Sequence, residues 1–394
     1  MKKIFILLIF LFLPNLCSAD EFKSIKKNAT VTNPKIIFPI QTNKGNCSKL
    51  AYPGLLANIE IIETLDAPKG YGLDDRFDWV RRDFEKYSIP CSGGDMDSCK
   101  VVKKIILKWA KADSPKRSKS GDLWNDTLTM NLHINNPMMS GYSFARQLIE
   151  FTSDEEKLIE EWFTRSVKRA EHLMYGDGKY KDKTGASGVP RSAHNHALSS
   201  AVAHMQLGII MNDHNLFRKA FRNYEDAIRY QRKDGSLPIE VRRGGRAMFY
   251  QGKAMNALAV IAIISEHQGY NIWEYDYKGK GKNFHNLVKF FIDFTENNEI
   301  VFKYAREMHA PGPAKDYKNQ DLEIINSSNW GWFYSYATRF PNHENIKRIE
   351  SWVNNPGNLN KYQLGFVHHY KNLGKNIFGD ASWTVVEANC HFLK

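Results

Sequence analysis

The chain has 394 residues, 42% hydrophobic and 13% aromatic, with 55 Lys and Arg against 43 Asp and Glu and a formal net charge of +12. That apolar content excludes a disordered chain and suffices for one large core or two moderate ones. The cationic excess is spread along the chain without a polylysine block, and it predicts a surface that attracts polyanions, whether nucleic acid, acidic lipid or acidic polysaccharide.

Residues 1–19 read as a secretory signal peptide: Lys2 and Lys3, an apolar run from Ile4 to Leu13, then small residues at Ser18 and Ala19, with cleavage expected after Ala19. The run is too short to span a bilayer, and no later stretch of consecutive apolar residues reaches the roughly 18 that a spanning helix needs. Cys17 follows Leu16, where lipid anchoring requires a small residue. The expectation is an exported protein, periplasmic or secreted, with no membrane insertion. Export favours an acidic glycan over nucleic acid as the polyanionic partner. Cys47, Cys91, Cys99 and Cys390 remain after the signal, an even number that suggests two disulfides in one of three connectivities.

Residues 20–75 mix Lys, Asn, Pro and short apolar runs and read as an extended or looped leader, with a single domain from 76 to 394. In "TSDEEKLIEEWFTRSVKRAEHLM", Ser153 and Glu156 have N-cap spacing, and Leu158, Trp162, Val167 and Ala170 recur at helical intervals. "NHALSSAVAHMQLGIIMND" carries Leu198, Val202, Met205 and Ile209 on one stripe. "NLFRKAFRNYEDAIRYQ" repeats the pattern with Phe217, Phe221, Tyr224 and Ile228. Lys233 to Ser236 break the helix, "LPIEV" reads as extended, and a further helix is predicted from about Arg246 to His267. Helix, turn, helix implies antiparallel helical hairpins in an all-α fold, either a toroid or a solenoid. Toward the C-terminus "NSSNWGWFYSYATRF" is rich in aromatics. Core packing accounts for most such clusters, but Trp330 and Trp332 are also candidates for a platform on which sugar rings stack.

Two stretches can carry chemistry. In "VRRGGRAMFYQGKA", Arg243 stands seven residues and Arg246 four residues before Tyr250. If helical geometry extends back to Arg243, all three share a face, and two guanidinium groups would lower the phenol's pKa toward a value useful for proton transfer. In "HNHAL", His194 and His196 are two apart and point in different directions on a helix, which argues against a chelating pair; a capping asparagine beside a half-buried histidine is the plain reading.

Together, "HNHAL" and "DGSLPIEVRRGGRAMFYQGKAMNAL" resemble the alginate lyase family, the mannuronate-cleaving polysaccharide lyases with an α/α toroid. In that family an Asn-His pair opens one helix, and an Arg stands seven before a Tyr after a Leu-Pro-x-Glu segment. The resemblance implies an incomplete (α/α) toroid of helical hairpins in which Asn195, His196 and Arg243 bind a uronate carboxylate. Tyr250 takes the C5 proton and returns it to the leaving O4, Arg246, Trp330 and Trp332 contact the polymer, and neither metal nor organic cofactor takes part. It also implies a Cys47 to Cys99 bridge, leaving Cys91 to Cys390, with a short Cys91 to Cys99 loop as the alternative. The chain departs from the family in having His194 before the pair, Ala197, Leu198 and Ser199 after it, and Gln251 where a His usually follows the tyrosine. Those departures leave open another polyuronate, such as glucuronan, as substrate. A non-catalytic acidic-polysaccharide-binding protein is the reading from another class.

Overall fold

The computed structural model describes residues 18–40, 59–68, 72–119, 123–175, 188–308, 316–320 and 330–373. Most of the expected signal segment, up to residue 17, lies outside the described residues, as do Cys47 and Cys390. Within them the chain is built from helices: α1 (Ala19–Asn28), α2 (Asp75–Ser92), α3 (Met96–Ala112), α4 (Leu123–Thr129), α5 (Asn136–Leu148), α6 (Ser153–Tyr175) and α7 (Asn195–Ile210). These are followed by α8 (His214–Tyr230), α9 (Ala247–His267), α10 (Phe284–Glu296), α11 (Glu299–Ala305), α12 (Gly331–Arg339), α13 (Glu344–Asn354) and α14 (Lys361–Lys371). The sheet among these residues is one short parallel pair, β1 (Thr64–Leu65) with β2 (Arg117–Ser118).

Short polar residues start the helices by accepting the backbone N–H groups of the first turn, which have no partner inside the helix. Asp95 caps α3, Asp213 caps α8, and Asn360 and Gln363 cap α14 reciprocally. At α6 the cap is Thr152, one residue before the predicted Ser153: Thr152 Oγ1 accepts from the Glu155 N–H, and Glu155 Oε2 accepts from the Thr152 N–H. Consecutive helices pack as hairpins, α2 on α3, α7 on α8 and α13 on α14, and successive hairpins join sideways into the predicted all-α toroid. Helix α9 runs through the middle, packed on α7 and α12. All of its side chains are buried except those of Phe249, Lys253, Glu266 and His267, which are partly exposed. By length and composition the segment Gly244–His267 could cross a membrane, but here it is a core helix.

Three expectations are corrected. The leader is not wholly extended, because α1 forms within it. Asp20 and Glu21 lie at its N-terminus and Lys26 and Lys27 at its C-terminus, complementing the helix dipole, while Phe22 stacks on Tyr275 at 3.8 Å between ring centroids. Ten residues are too few to display a helical period in the sequence. Next, the described disulfide joins Cys91 to Cys99, with Cα atoms 4.8 Å apart across the α2–α3 turn, so neither the Cys47 to Cys99 nor the Cys91 to Cys390 bridge forms. The hairpin brings the two cysteines together because Gly94, at φ 101°, turns the chain between them and the Asp95 N–H returns to the Pro90 carbonyl. Finally, Trp330 and Trp332 offer no sugar platform: both are buried, stacked on each other at 6.1 Å and packed against Phe291 and Phe366. Their rings fill the core where α12 meets α10 and α14.

The α7–α8 hairpin depends on a glycine. A Cβ on Gly208 would lie 2.4 Å from the backbone nitrogen of Phe217, an overlap that rotamer changes cannot relieve. Gly208→Ala is expected to destabilise the fold by about 3 kcal/mol or more, seen as a lowered denaturation midpoint with an unchanged helical circular dichroism spectrum at low denaturant.

Candidate functional site

Helix α7 opens at Asn195, and its cap is His194 rather than the asparagine: the His194 Nδ1 accepts from the His196 N–H at 3.2 Å. Burial holds His194 well below the usual imidazole range, reinforced by Arg243 and Arg191, so it is neutral, and the accepting Nδ1 places its proton on Nε2. The His196 ring lies 4.8 Å from that of His194, and both are buried.

The other half of the site comes from the turn ahead of α9. "LPIEV" is not extended: the N–H groups of Glu240 and Val241 both return to the Leu237 carbonyl, each at 3.1 Å. Gln251 braces this turn, accepting from the Leu237 N–H at 2.9 Å and donating to the Gly235 carbonyl at 3.2 Å. Glu240 is thereby turned fully inside. Its Oε1 accepts from the Asn195 N–H at 2.9 Å, its Oε2 accepts from Asn195 Nδ2 at 3.1 Å, and Arg243 Nη1 lies 3.7 Å away. Sequence reasoning did not assign a role to Glu240, although its place three residues before Arg243 in "LPIEVRR" was the available signal.

Arg243 is outside the helix, at φ −101° and ψ 40°, just before the 3-10 turn Gly244–Arg246. The condition of helical geometry back to Arg243 is not met, yet the turn brings the same residues together. Gly244, at φ 58°, folds the chain so that the Arg243 guanidinium carbon sits 3.4 Å from the centroid of the Tyr250 ring. Gln320 holds this junction, accepting from the Met248 N–H at 3.1 Å and donating to the Gly244 carbonyl at 3.0 Å. Arg246 stands over Phe249 at 5.3 Å, and Arg246, Phe249 and Lys253 are the partly exposed side chains beside Tyr250.

The electrostatics differ from the expectation in one respect. Arg243 and Arg246 do favour the Tyr250 phenolate, but burial outweighs them and Glu240 opposes them, so its pKa is raised, not lowered. Glu240 is pushed up to about 7, chiefly by burial, with Arg243 and the Asn195 hydrogen bonds pulling the other way. Arg243 Nε and Nη1 make no hydrogen bond, nor does Asn195 Oδ1, although all are buried. The two Arg243 donors are costly without an acceptor, and a carboxylate beside them would satisfy them, whereas Asn195 Oδ1 is an acceptor and calls for a hydroxyl or another donor on a ligand. The structure thus brings Asn195, His196, Arg243, Arg246 and Tyr250 into one site, adds Glu240 and His194, and leaves Trp330 and Trp332 in the core. Among the described residues no group of three or more His, Cys, Asp and Glu side chains is placed to hold a metal ion.

Comparison with known proteins places the fold in a class. Residues 108–302 match the family model described as alginate lyase. The alginate lyase of Cobetia marina is 28% identical over 172 residues, and that of Pseudomonas syringae pv. syringae is 28% identical over 174 residues. These matches cover 42% and 43% of this chain, and 42% of each relative's length. Among solved structures, alginate lyase A1-III from Sphingomonas species A1 superposes with a TM-score of 0.58 at 17% identity, covering 82% of this chain and 92% of that one. A variant of A1-III complexed with a tetrasaccharide superposes with a TM-score of 0.60 at 19% identity. The fold is that of the α/α-toroid polysaccharide lyases. The chain carries an alginate lyase family domain across residues 108–302.

The buried carboxyl has a thermodynamic signature. A folded-state pKa above the ordinary 4.5 means that Glu240 favours folding while protonated and that this contribution is lost as pH rises from about 4.5 to about 7. Wild type is expected to lose stability over that window, and Glu240→Gln to lose less, so that the variant gains on wild type by pH 8. Parallel stability–pH curves would show that Glu240 does not titrate in this range.

Proposed function

We propose that this protein is a polysaccharide lyase that cleaves β-1,4-linked polymannuronate by β-elimination, leaving an unsaturated uronate at the new non-reducing end. The observation that carries the reading is the Arg243 guanidinium lying on the Tyr250 ring, with its unbonded donors beside Asn195. Elimination must remove the weakly acidic C5 proton beside the C6 carboxylate. A charged carboxylate there opposes the developing carbanion unless cationic and hydrogen-bonding groups offset it. Arg243, Asn195 and His196 supply those groups. Glu240 keeps Asn195 and Arg243 at the spacing a carboxylate needs, and Arg246 contacts the polymer at the exposed margin.

Tyr250 is the base and the acid. As phenolate, favoured by Arg243 and Arg246, it takes the C5 proton; the C5 electron pair forms the C4–C5 double bond as the C4–O4 bond breaks; and the phenol returns its proton to O4. One residue suffices when the C5 proton and O4 lie on the same ring face, as in mannuronate. The N-terminal sequence supports an exported enzyme, periplasmic or secreted, acting on an acidic polysaccharide. Of the residues flanking the four central ones, Ser199 and Gln251 are fully buried, so a preference for another polyuronate would be written at the partly exposed Lys253.

Absorbance of the new conjugated double bond tests the reading. Polymannuronate is expected to give a rise, with polyguluronate and polyglucuronate as comparison; a rise with polyglucuronate alone would reassign the substrate, and no rise with any polymer from folded protein would reject the lyase. Tyr250→Phe should keep the fold and polymer binding and lose turnover. Arg243→Ala should lower kcat by about 100-fold or more, by analogy with the loss of one oxyanion donor. Because burial holds the Tyr250 phenol above its ordinary range, kcat/KM is expected to climb as pH rises above neutrality.

A further inference from the structure

The turn Asp276–Asn283 carries Lys278, Lys280 and Lys282 with glycines between them. Lys278, Gly279 and Gly281 all have positive φ, at 56°, 62° and 68°, in a turn that leaves Lys278 and Lys280 exposed and Lys282 partly buried. Asp276 locks the turn by accepting from the Gly281 and Lys282 N–H groups at 2.9 and 3.0 Å, so its carboxylate is committed to the backbone. Lys282 Nζ donates to the Arg229 carbonyl at 2.7 Å, while the Arg229 guanidinium stands over Tyr230 at 5.1 Å and Tyr277 at 5.6 Å. Among the described residues none of these four cations is in a salt bridge. The lowered pKa of Lys282, caused first by burial and then by Lys280, agrees with uncompensated positive charge. Side-chain charge left unpaired and close together costs stability, and here it is held by a backbone built for it.

The turn's position gives that charge a use. Helix α8 is antiparallel to α7, and its C-terminal part lies against the start of α7: Asn223 donates to the Ser192 carbonyl at 3.1 Å, and Ser192 donates to Asp226. Arg229 is three residues further on, so the basic turn stands at the same end of the helical layer as Asn195 and His196. Gln231 donates to the Asn283 carbonyl at 3.1 Å, joining the basic turn to the segment that leads through Glu240 to Arg243. The turn exposes no large apolar side chain for insertion into a membrane, whereas its spaced cations, with Arg229 held over Tyr230 and Tyr277, match a chain bearing regularly spaced carboxylates.

We propose that Lys278, Lys280, Lys282 and Arg229 form an anchoring surface that holds the acidic polysaccharide outside the catalytic clamp, resting on the proposed function only for the identity of the polymer as a polyuronate. The surface raises the local concentration of polymer and takes no part in bond breaking. The test uses the full chain with Tyr250→Phe to prevent turnover, with and without Lys278→Ala, Lys280→Ala and Lys282→Ala together. Affinity for long polymannuronate is measured against salt by titration calorimetry or affinity electrophoresis. The alanine triple variant is expected to bind about tenfold more weakly at low salt, with the slope of log affinity against log salt shallower by about 2. A second triple variant with arginine at the three positions should bind as the parent does, which separates charge from any effect on folding. In the catalytically intact chain, KM for long polymer should rise while kcat on a short oligomer stays the same. Unchanged affinity and salt slope, or a loss of DNA binding without a loss of polymannuronate binding, would overturn the proposal. If wild type produces no unsaturated ends yet the lysine variant loses polymer binding, the lyase reading fails and the anchoring surface stands.

Discussion

A carboxylate with no access to solvent organises this protein's chemistry. Glu240 lies between the start of α7 and the turn before α9, two elements brought together only by the folded chain, and it engages Asn195 twice and Arg243 once. A buried anion without partners would be too costly to keep; this one is tolerable because a guanidinium and two N–H donors surround it. In return it orients both groups. Without Glu240 the Asn195 amide would be free to rotate, and Arg243 would have no anion to set against the Tyr250 ring.

The same arrangement explains why the phenol is not simply acidified. Bringing Tyr250 under Arg243 also takes it out of water, and in this site burial outweighs the cation. The free site therefore rests with a neutral phenol and a carboxyl that titrates near neutrality. An entering uronate carboxylate would change the balance on every one of these groups, because it would compete with Glu240 for the same guanidinium.

Much of this was legible in the sequence, and the illegible parts share a cause. Helices α6 to α9 are long and carry stripes of apolar residues, so their period showed through. Asn195, His196, Arg243, Arg246 and Tyr250 stand in two short segments whose residue types point to anion binding and proton transfer. Glu240 was overlooked because its role lies in a contact across 45 residues of chain, and no local pattern encodes which way a turn faces. Trp330 and Trp332 were ambiguous because an aromatic core and a sugar platform have the same composition and differ only in burial. The first-named cysteine pairing gave way to its stated alternative, Cys91 to Cys99, because connectivity follows the α2–α3 hairpin, which spacing alone does not specify. The raised phenol pKa was invisible because sequence reveals neighbouring charges but not the loss of water around them.

Gln320 shows how widely the site is distributed. It grips the Gly244 carbonyl and the Met248 N–H from a position some seventy residues downstream, and its own backbone N–H donates to Tyr362 of α14. The junction that sets Arg243 against Tyr250 is thus completed by chain that leaves the ribosome long after both residues. The geometry of the clamp therefore depends on how α14 docks as much as on its own turn.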